Sequence, residues 1–126
     1  MRLVNFVSLA HDLENAGLVW QPEIGDEISD RTKRDTISIL VDPEGRHPEE
    51  LRQSYLWLPT VEQLVFQFEA RQAILFHAGL ELSEKYMGYK AVVQSPFGPI
   101  EASAVSLREA LGEALKELLR GEPNLH

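Results

Sequence analysis

The chain has 126 residues, 44% of them hydrophobic and 25% charged, a balance that fits one ordinary globular domain and argues against global disorder. Its formal charge of −8 works against a phosphate-backbone partner, because nucleic-acid affinity is built largely on Lys and Arg. The lack of cysteine excludes disulfides, thiolate metal sites and a cysteine nucleophile, and suits a reducing cytoplasm.

No segment approaches the ~20 apolar residues needed to cross a bilayer. His11, Asp12 and Glu14 also interrupt the first apolar stretch before it reaches signal-peptide length. A cytoplasmic protein without membrane contact is the expectation.

Residues 3–16 place Leu3, Phe6, Ala10 and Leu13 on one side, joined by Val7 and Leu9, with Ser8, His11, Asp12 and Asn15 opposite. That spacing predicts an amphipathic helix. Gly17 is its left-handed stop, with Leu18 placed to fold back onto the last turn. Leu18-Val19-Trp20 then reads as an extended segment ended by Pro22, and Gly25-Asp26 as a turn. The polar stretch 27–35 is expected to be a mobile loop. It carries the only basic run, Arg31-Thr32-Lys33-Arg34, between Asp26, Glu27, Asp30 and Asp35, which reads as solvated rather than as a binding stripe.

Residues 36–41 alternate as a strand with Ile37, Ile39 and Val41 on one face. Asp42-Pro43-Glu44-Gly45 fits a type I turn, with Pro second and Gly fourth. Pro48-Glu49-Glu50-Leu51 adds a helical turn. Tyr55-Leu56-Trp57-Leu58-Pro59-Thr60-Val61-Glu62-Gln63-Leu64 then writes a strand, a stop and a helix start. Pro59 ends the pairing, and Thr60 with Gln63 forms a T-x-x-Q capping box. The Tyr55 strand is expected to pair antiparallel with the strand over 36–41.

The helix opened by Thr60 is expected to run to residue 78 and stop at Gly79. Val61, Leu64, Val65, Phe68, Leu75 and Phe76 form its main stripe, and Phe66, Ala70, Ala73 and Ile74 a second apolar patch nearly opposite. Residues 86–94 read as a strand with Tyr89, Ala91 and Val93 on one face. Ser95-Pro96-Phe97-Gly98-Pro99 turns it, and residues 100–104 return with clean alternation. Ser106 and Glu109 form a second capping box, opening a helix over 107–120 that Gly121 ends. Leu107, Ala110, Leu111, Ala114, Leu115, Leu118 and Leu119 make its stripe, Lys116 and Arg120 favour its C-terminal dipole, and 122–126 is a frayed tail.

Chemistry-bearing residues are sparse. Ser8, His11 and Asp12 have the residue types of a hydrolytic triad, but one helix face supplies neither an oxyanion hole nor a strained nucleophile turn. They read as the polar face of the helix. His11, Asp12 and Glu14 lack a second histidine at metal-ligand spacing, so neither a metal nor any other cofactor is expected. His47 and His126 read as exposed, and His77 as a cation at a helix C-terminus. The isolated glycines form no phosphate-cradling loop. The pairs Asp26-Glu27 and Glu49-Glu50 read as solvated loop carboxylates.

The candidate binding residues are apolar instead. Leu56 and Leu58 fill one face of their strand, leaving Tyr55 and Trp57 on the other, either under the first helix or at an interface. With Phe66, Ala70, Ala73 and Ile74 they make the candidate interface of a homodimer, or of a complex with another protein.

Gly17-Leu18-Val19-Trp20-Gln21-Pro22-Glu23-Ile24-Gly25-Asp26-Glu27-Ile28, followed after a strand by the Tyr55-to-Leu64 segment, resembles small uncharacterised proteins of phage and prophage regions. These share a W-x-P-x-x-G-D element, a W-L-P-T-x-x-Q-L element and a C-terminal strand–helix unit. The resemblance covers most of the chain and transfers no catalytic residue. Tyr89-Lys90-Ala91-Val92-Val93 through Ser106-Leu107-Arg108-Glu109-Ala110-Leu111 is similar to the strand–hairpin–helix tail of HicB-type antitoxins. The glycine-rich hairpin consensus and the ribbon–helix–helix segment of that family are missing, and this chain begins with a helix where the family begins with a strand.

The element order α-β-β-α-β-β-α predicts an α+β sandwich over residues 1–126, a mostly antiparallel sheet with helices packed chiefly on one face. The function expected is that of a non-enzymatic accessory or interaction protein of phage-like origin, homodimeric. The alternatives are an antitoxin-like regulator that binds a partner protein through its C-terminal unit, and a small enzyme with a dispersed site.

Overall fold

Two three-stranded antiparallel sheets organise the chain, where one was expected. The computed structural model describes residues 2–82, 84 and 87–121, and the chain divides at Pro59/Thr60 into two compact units. The class is α+β, as the sequence predicts. Tyr86 and the tail 122–126, with His126, lie outside the described residues, as does the side chain of Leu3.

The first unit opens with α1 (Arg2–Asn15). It closes as its sequence predicts: Gly17 takes φ 113°, its amide donates to the Glu14 carbonyl at 3.1 Å, and the Leu18 amide donates to the Leu13 carbonyl at 3.0 Å. Leu13 and Leu18, the two positions whose apolar side chains accompany a Schellman closure, are both buried. Next come β1 (Glu27–Asp30), β2 (Lys33–Ile39), α2 (Pro48–Ser54) and β3 (Tyr55–Trp57).

The stretch expected to be a loop is a β-hairpin. β1 pairs antiparallel with β2, and Asp30 closes the turn by accepting from the Thr32 amide at 2.9 Å and its hydroxyl at 2.7 Å. Those two bonds hold the Asp30 carboxyl below its ordinary pKa. Polar composition hid the strand because β1 contributes only one large apolar side chain, the buried Ile28, beside a buried Ser29. β1 is also the central strand, in the order β2-β1-β3. The Tyr55 strand therefore pairs antiparallel with β1 rather than with the strand holding Ile37, and β2 is held away from it.

The turn between β2 and α2 is displaced by one residue from its expected position. Glu44 (φ 55°) and Gly45 (φ 72°) are its central pair, and Arg46 donates to the Pro43 carbonyl at 2.9 Å. Two positive φ values are the mark of type I′ rather than type I. Asp42 Oδ1 accepts from the Glu44 amide at 2.8 Å and supports the unusual residue there. Leu40, not Val41, turns inward.

The second unit runs α3 (Val61–Ala70), β4 (Ile74–Leu82), β5 (Met87–Ser95), β6 (Gly98–Ala104) and α4 (Leu107–Gly121). Thr60 caps α3 as expected: its hydroxyl accepts from the Gln63 amide at 3.2 Å while its own amide donates to Gln63 Oε1 at 2.9 Å. The expected 18-residue helix stops after ten. Gln72 adopts φ 60°, its amide reaches the Glu69 carbonyl at 3.0 Å, and the Ala73 amide reaches the Phe68 carbonyl at 2.9 Å. This is the closure that ends α1, with glutamine where glycine is customary. Leu75 and Phe76 therefore belong to a strand and not to a helical stripe. His77 likewise lies on β4 and caps nothing.

β4, β5 and β6 form a meander in that order, with Leu75 opposite Val93, Ala78 opposite Ala91, and Val93 opposite Ile100. Phe76 is the extra residue of a bulge between Leu75 and His77. The hairpin at Ser95 turns as its sequence predicts. Ser95 Oγ accepts from the Phe97 amide at 3.0 Å and donates to the Gly98 carbonyl at 2.7 Å, and Gly98 takes φ 128°. Ser106 Oγ accepts from the Glu109 amide at 3.1 Å and starts α4. α4 packs on β5, β6 and α3, burying Ala110, Leu111, Ala114, Leu115, Leu118 and Leu119 with Ala91 and Val93.

Candidate functional site

The W-x-P-x-x-G-D element folds back on itself. Asp26 donates its amide to the Glu23 carbonyl at 3.1 Å and accepts from the Glu23 amide at 2.9 Å through Oδ2. Gly25 at φ 101° lets its amide reach the Leu40 carbonyl at 2.7 Å, and the Leu40 amide returns to the Asp26 carbonyl at 2.8 Å. The loop is thereby sewn to the end of β2. Asp26, expected to be a solvated carboxylate, is buried and takes the indole N–H of Trp20.

Above this loop the alternation of β3 holds. Leu56 and Leu58 are buried, and Tyr55 and Trp57 face the other way. That second face is covered from within the unit: Tyr55 and Trp57 are half-buried against a cluster of Trp20, Ile28, Leu40 and Leu51. The Arg46 guanidinium lies 5.6 Å from the Tyr55 ring centroid and donates to Ser54 Oγ.

Within the basic run Thr32 and Lys33 are exposed, as expected, but Arg31 is engaged. Arg31 holds both oxygens of Glu14, at 2.6 and 3.3 Å, and donates through Nε to the Arg52 carbonyl at 2.9 Å, tying α1 to the end of α2. Between these elements lies a cavity of about 220 Å³ walled by Ala10, Glu14, Trp20, Arg52, Leu56 and Trp57.

The patch of Phe66, Ala70, Ala73 and Ile74 does not form one helical face. Phe66 and Ala70 are exposed on α3, Ala73 is buried beyond its end, and Ile74 is exposed on β4. The register instead builds a different apolar surface. Leu75, Ala78, Leu80 and Leu82 of β4 share a face with Val93, Ala91, Tyr89 and Met87 of β5. α4 closes over the Ala91–Val93 end of that face. At the other end Leu80, Leu82 and Met87 are 53%, 64% and 72% exposed.

The reverse face is mixed: the exposed Ile74 and half-buried Val92 share it with Lys90, Glu81 and Glu101. Lys90 bridges Glu81 and Glu101 at 3.3 Å each, and hydrogen bonds to Glu101 and then Glu81 raise its pKa. Sequence reasoning missed the Leu80–Leu82–Met87 strip because it ended the element at Gly79. The Leu80-Glu81-Leu82 alternation was the available signal.

Ser8 is exposed on α1 and His11 is half-buried. Among the described residues, no group of three or more His, Asp or Glu side chains is arranged to hold a metal ion, and no helix is long and apolar enough to cross a membrane. Comparison with protein-family models, with curated proteins and with solved structures finds no match.

Proposed function

We propose that this chain is a non-enzymatic protein-interaction protein that works as a homodimer, joined through the open end of the β4–β5 face. The observation that carries this reading is the strip of Leu80, Leu82 and Met87, the exposed end of a face whose other end, at Ala91 and Val93, is buried. Apolar continuity of this kind marks a surface meant to be covered. Two copies each at −8 repel one another, so contact is favoured where the surface carries no charge, and this strip carries none. A two-fold arrangement of one strip on its twin is the simplest closed way to bury it.

Light scattering tests the reading. We expect a mass near twice the 14.3 kDa chain at high micromolar concentration, and Leu82→Glu should return it to monomer with helix content kept. A monomeric parent would overturn the homodimer.

The antitoxin-like alternative draws on the β5–β6–α4 unit, which has the element order that reading requires. It calls for a chain that is monomeric alone and binds a different protein through that C-terminal unit. A phage-type accessory role has only the resemblance of the Trp20 and Trp57 elements behind it.

A further inference from the structure

The cavity in the first unit has an unbalanced lining. Arg52 donates through Nε to the Trp20 carbonyl at 2.6 Å and through Nη2 to Gln21 Oε1 at 3.4 Å, and among the described residues it meets no carboxylate. Glu14, the acid in the same wall, is already held on both oxygens by Arg31. Among the described residues the buried indole Nε1–H of Trp57 finds no acceptor, whereas that of Trp20 is taken by Asp26. The wall thus has donors and positive charge to spare. Its only carboxylate is neutralised, in a chain whose overall charge is −8.

The remaining lining, from Ala10, Leu56 and the two tryptophans, is apolar. A cavity of about 150 Å³ suffices for a benzene ring, so about 220 Å³ leaves room for a ring with one substituent. A guanidinium pinned by its Nε keeps its remaining N–H groups for a planar anion, which it can hold through two oxygens. We propose that this cavity binds a small aromatic carboxylate, its ring between Trp20 and Trp57 and its carboxylate on Arg52.

Both tryptophans of the chain wall this cavity, so intrinsic fluorescence reports on it directly. The full chain is titrated with benzoate and, at matched ionic strength, with benzamide, the uncharged counterpart of the same shape. Benzoate should give a saturable change, with benzamide at least tenfold weaker, and the Trp57 indole N–H resonance should shift. Arg52→Gln should weaken benzoate at least tenfold, while Arg52→Lys should lose less.

Because Arg52 also holds the Trp20 carbonyl, Glu14→Gln provides a second arm. It frees Arg31 and should tighten benzoate binding severalfold. Equal responses to benzoate and benzamide, no saturable change, or a Glu14→Gln variant that binds no better would each overturn the proposal.

Discussion

The indole N–H of Trp20 donates to Asp26 Oδ2 at 2.8 Å, and both residues are buried. This single bond accounts for the two ends of the W-x-P-x-x-G-D element. Pro22 and Gly25 bend the chain between them, and the carboxylate that closes the loop also orients a wall of the cavity. A buried acid persists here because the Trp20 indole and the Glu23 amide both donate to it.

The bond has a measurable cost of loss. Asp26→Ala leaves the Trp20 donor and the Glu23 amide without their acceptor, and should destabilise the protein by about 1–3 kcal/mol. Asp26→Asn retains an acceptor oxygen and should lose less. Urea denaturation midpoints decide the matter: equal midpoints for parent and Asp26→Ala would show that the bond contributes nothing.

Gln72 sits in the left-handed region at φ 60°, a conformation that costs an L-residue roughly 1–2 kcal/mol and glycine almost none. Gln72→Gly should therefore raise stability by up to about 1 kcal/mol, since glycine's greater freedom in the unfolded chain offsets part of the gain. Gln72→Val, β-branched, should lower it. Thermal melts in which Gln72→Gly is the less stable of the two would contradict this account of where α3 ends.

Thr60 and Ser106 both accept a backbone amide three residues on. Thr60→Ala and Ser106→Ala should each cost roughly 0.5–2 kcal/mol. Chemical denaturation reads both, and a variant indistinguishable from the parent would mean that its helix draws no stability from the cap.

The features legible in the sequence are those whose cause lies within a few residues. Gly17 needs only its own φ and the carbonyls of Leu13 and Glu14, and Thr60, Ser106 and the Ser95–Gly98 turn are equally local. The stripe of α4 was readable because one face of one helix carries it. Tertiary structure decided whatever depended on distant partners. Residues 74–82 match helical spacing as well as strand alternation, and pairing with β5, begun after a left-handed glutamine, selects the strand.

Residues 27–30 become the centre of a sheet only because β2 and β3 satisfy their backbone from both sides. The face of Tyr55 and Trp57 is covered by Trp20, Ile28, Leu40 and Leu51, gathered from four other parts of the chain. The uncovered Leu80–Leu82–Met87 strip, and an Arg52 that meets no carboxylate among the described residues, are visible only once register and neighbours are known. Residue type records what a side chain can do, but its exposure and its partner are set by segments that loop closure brings together from far along the sequence.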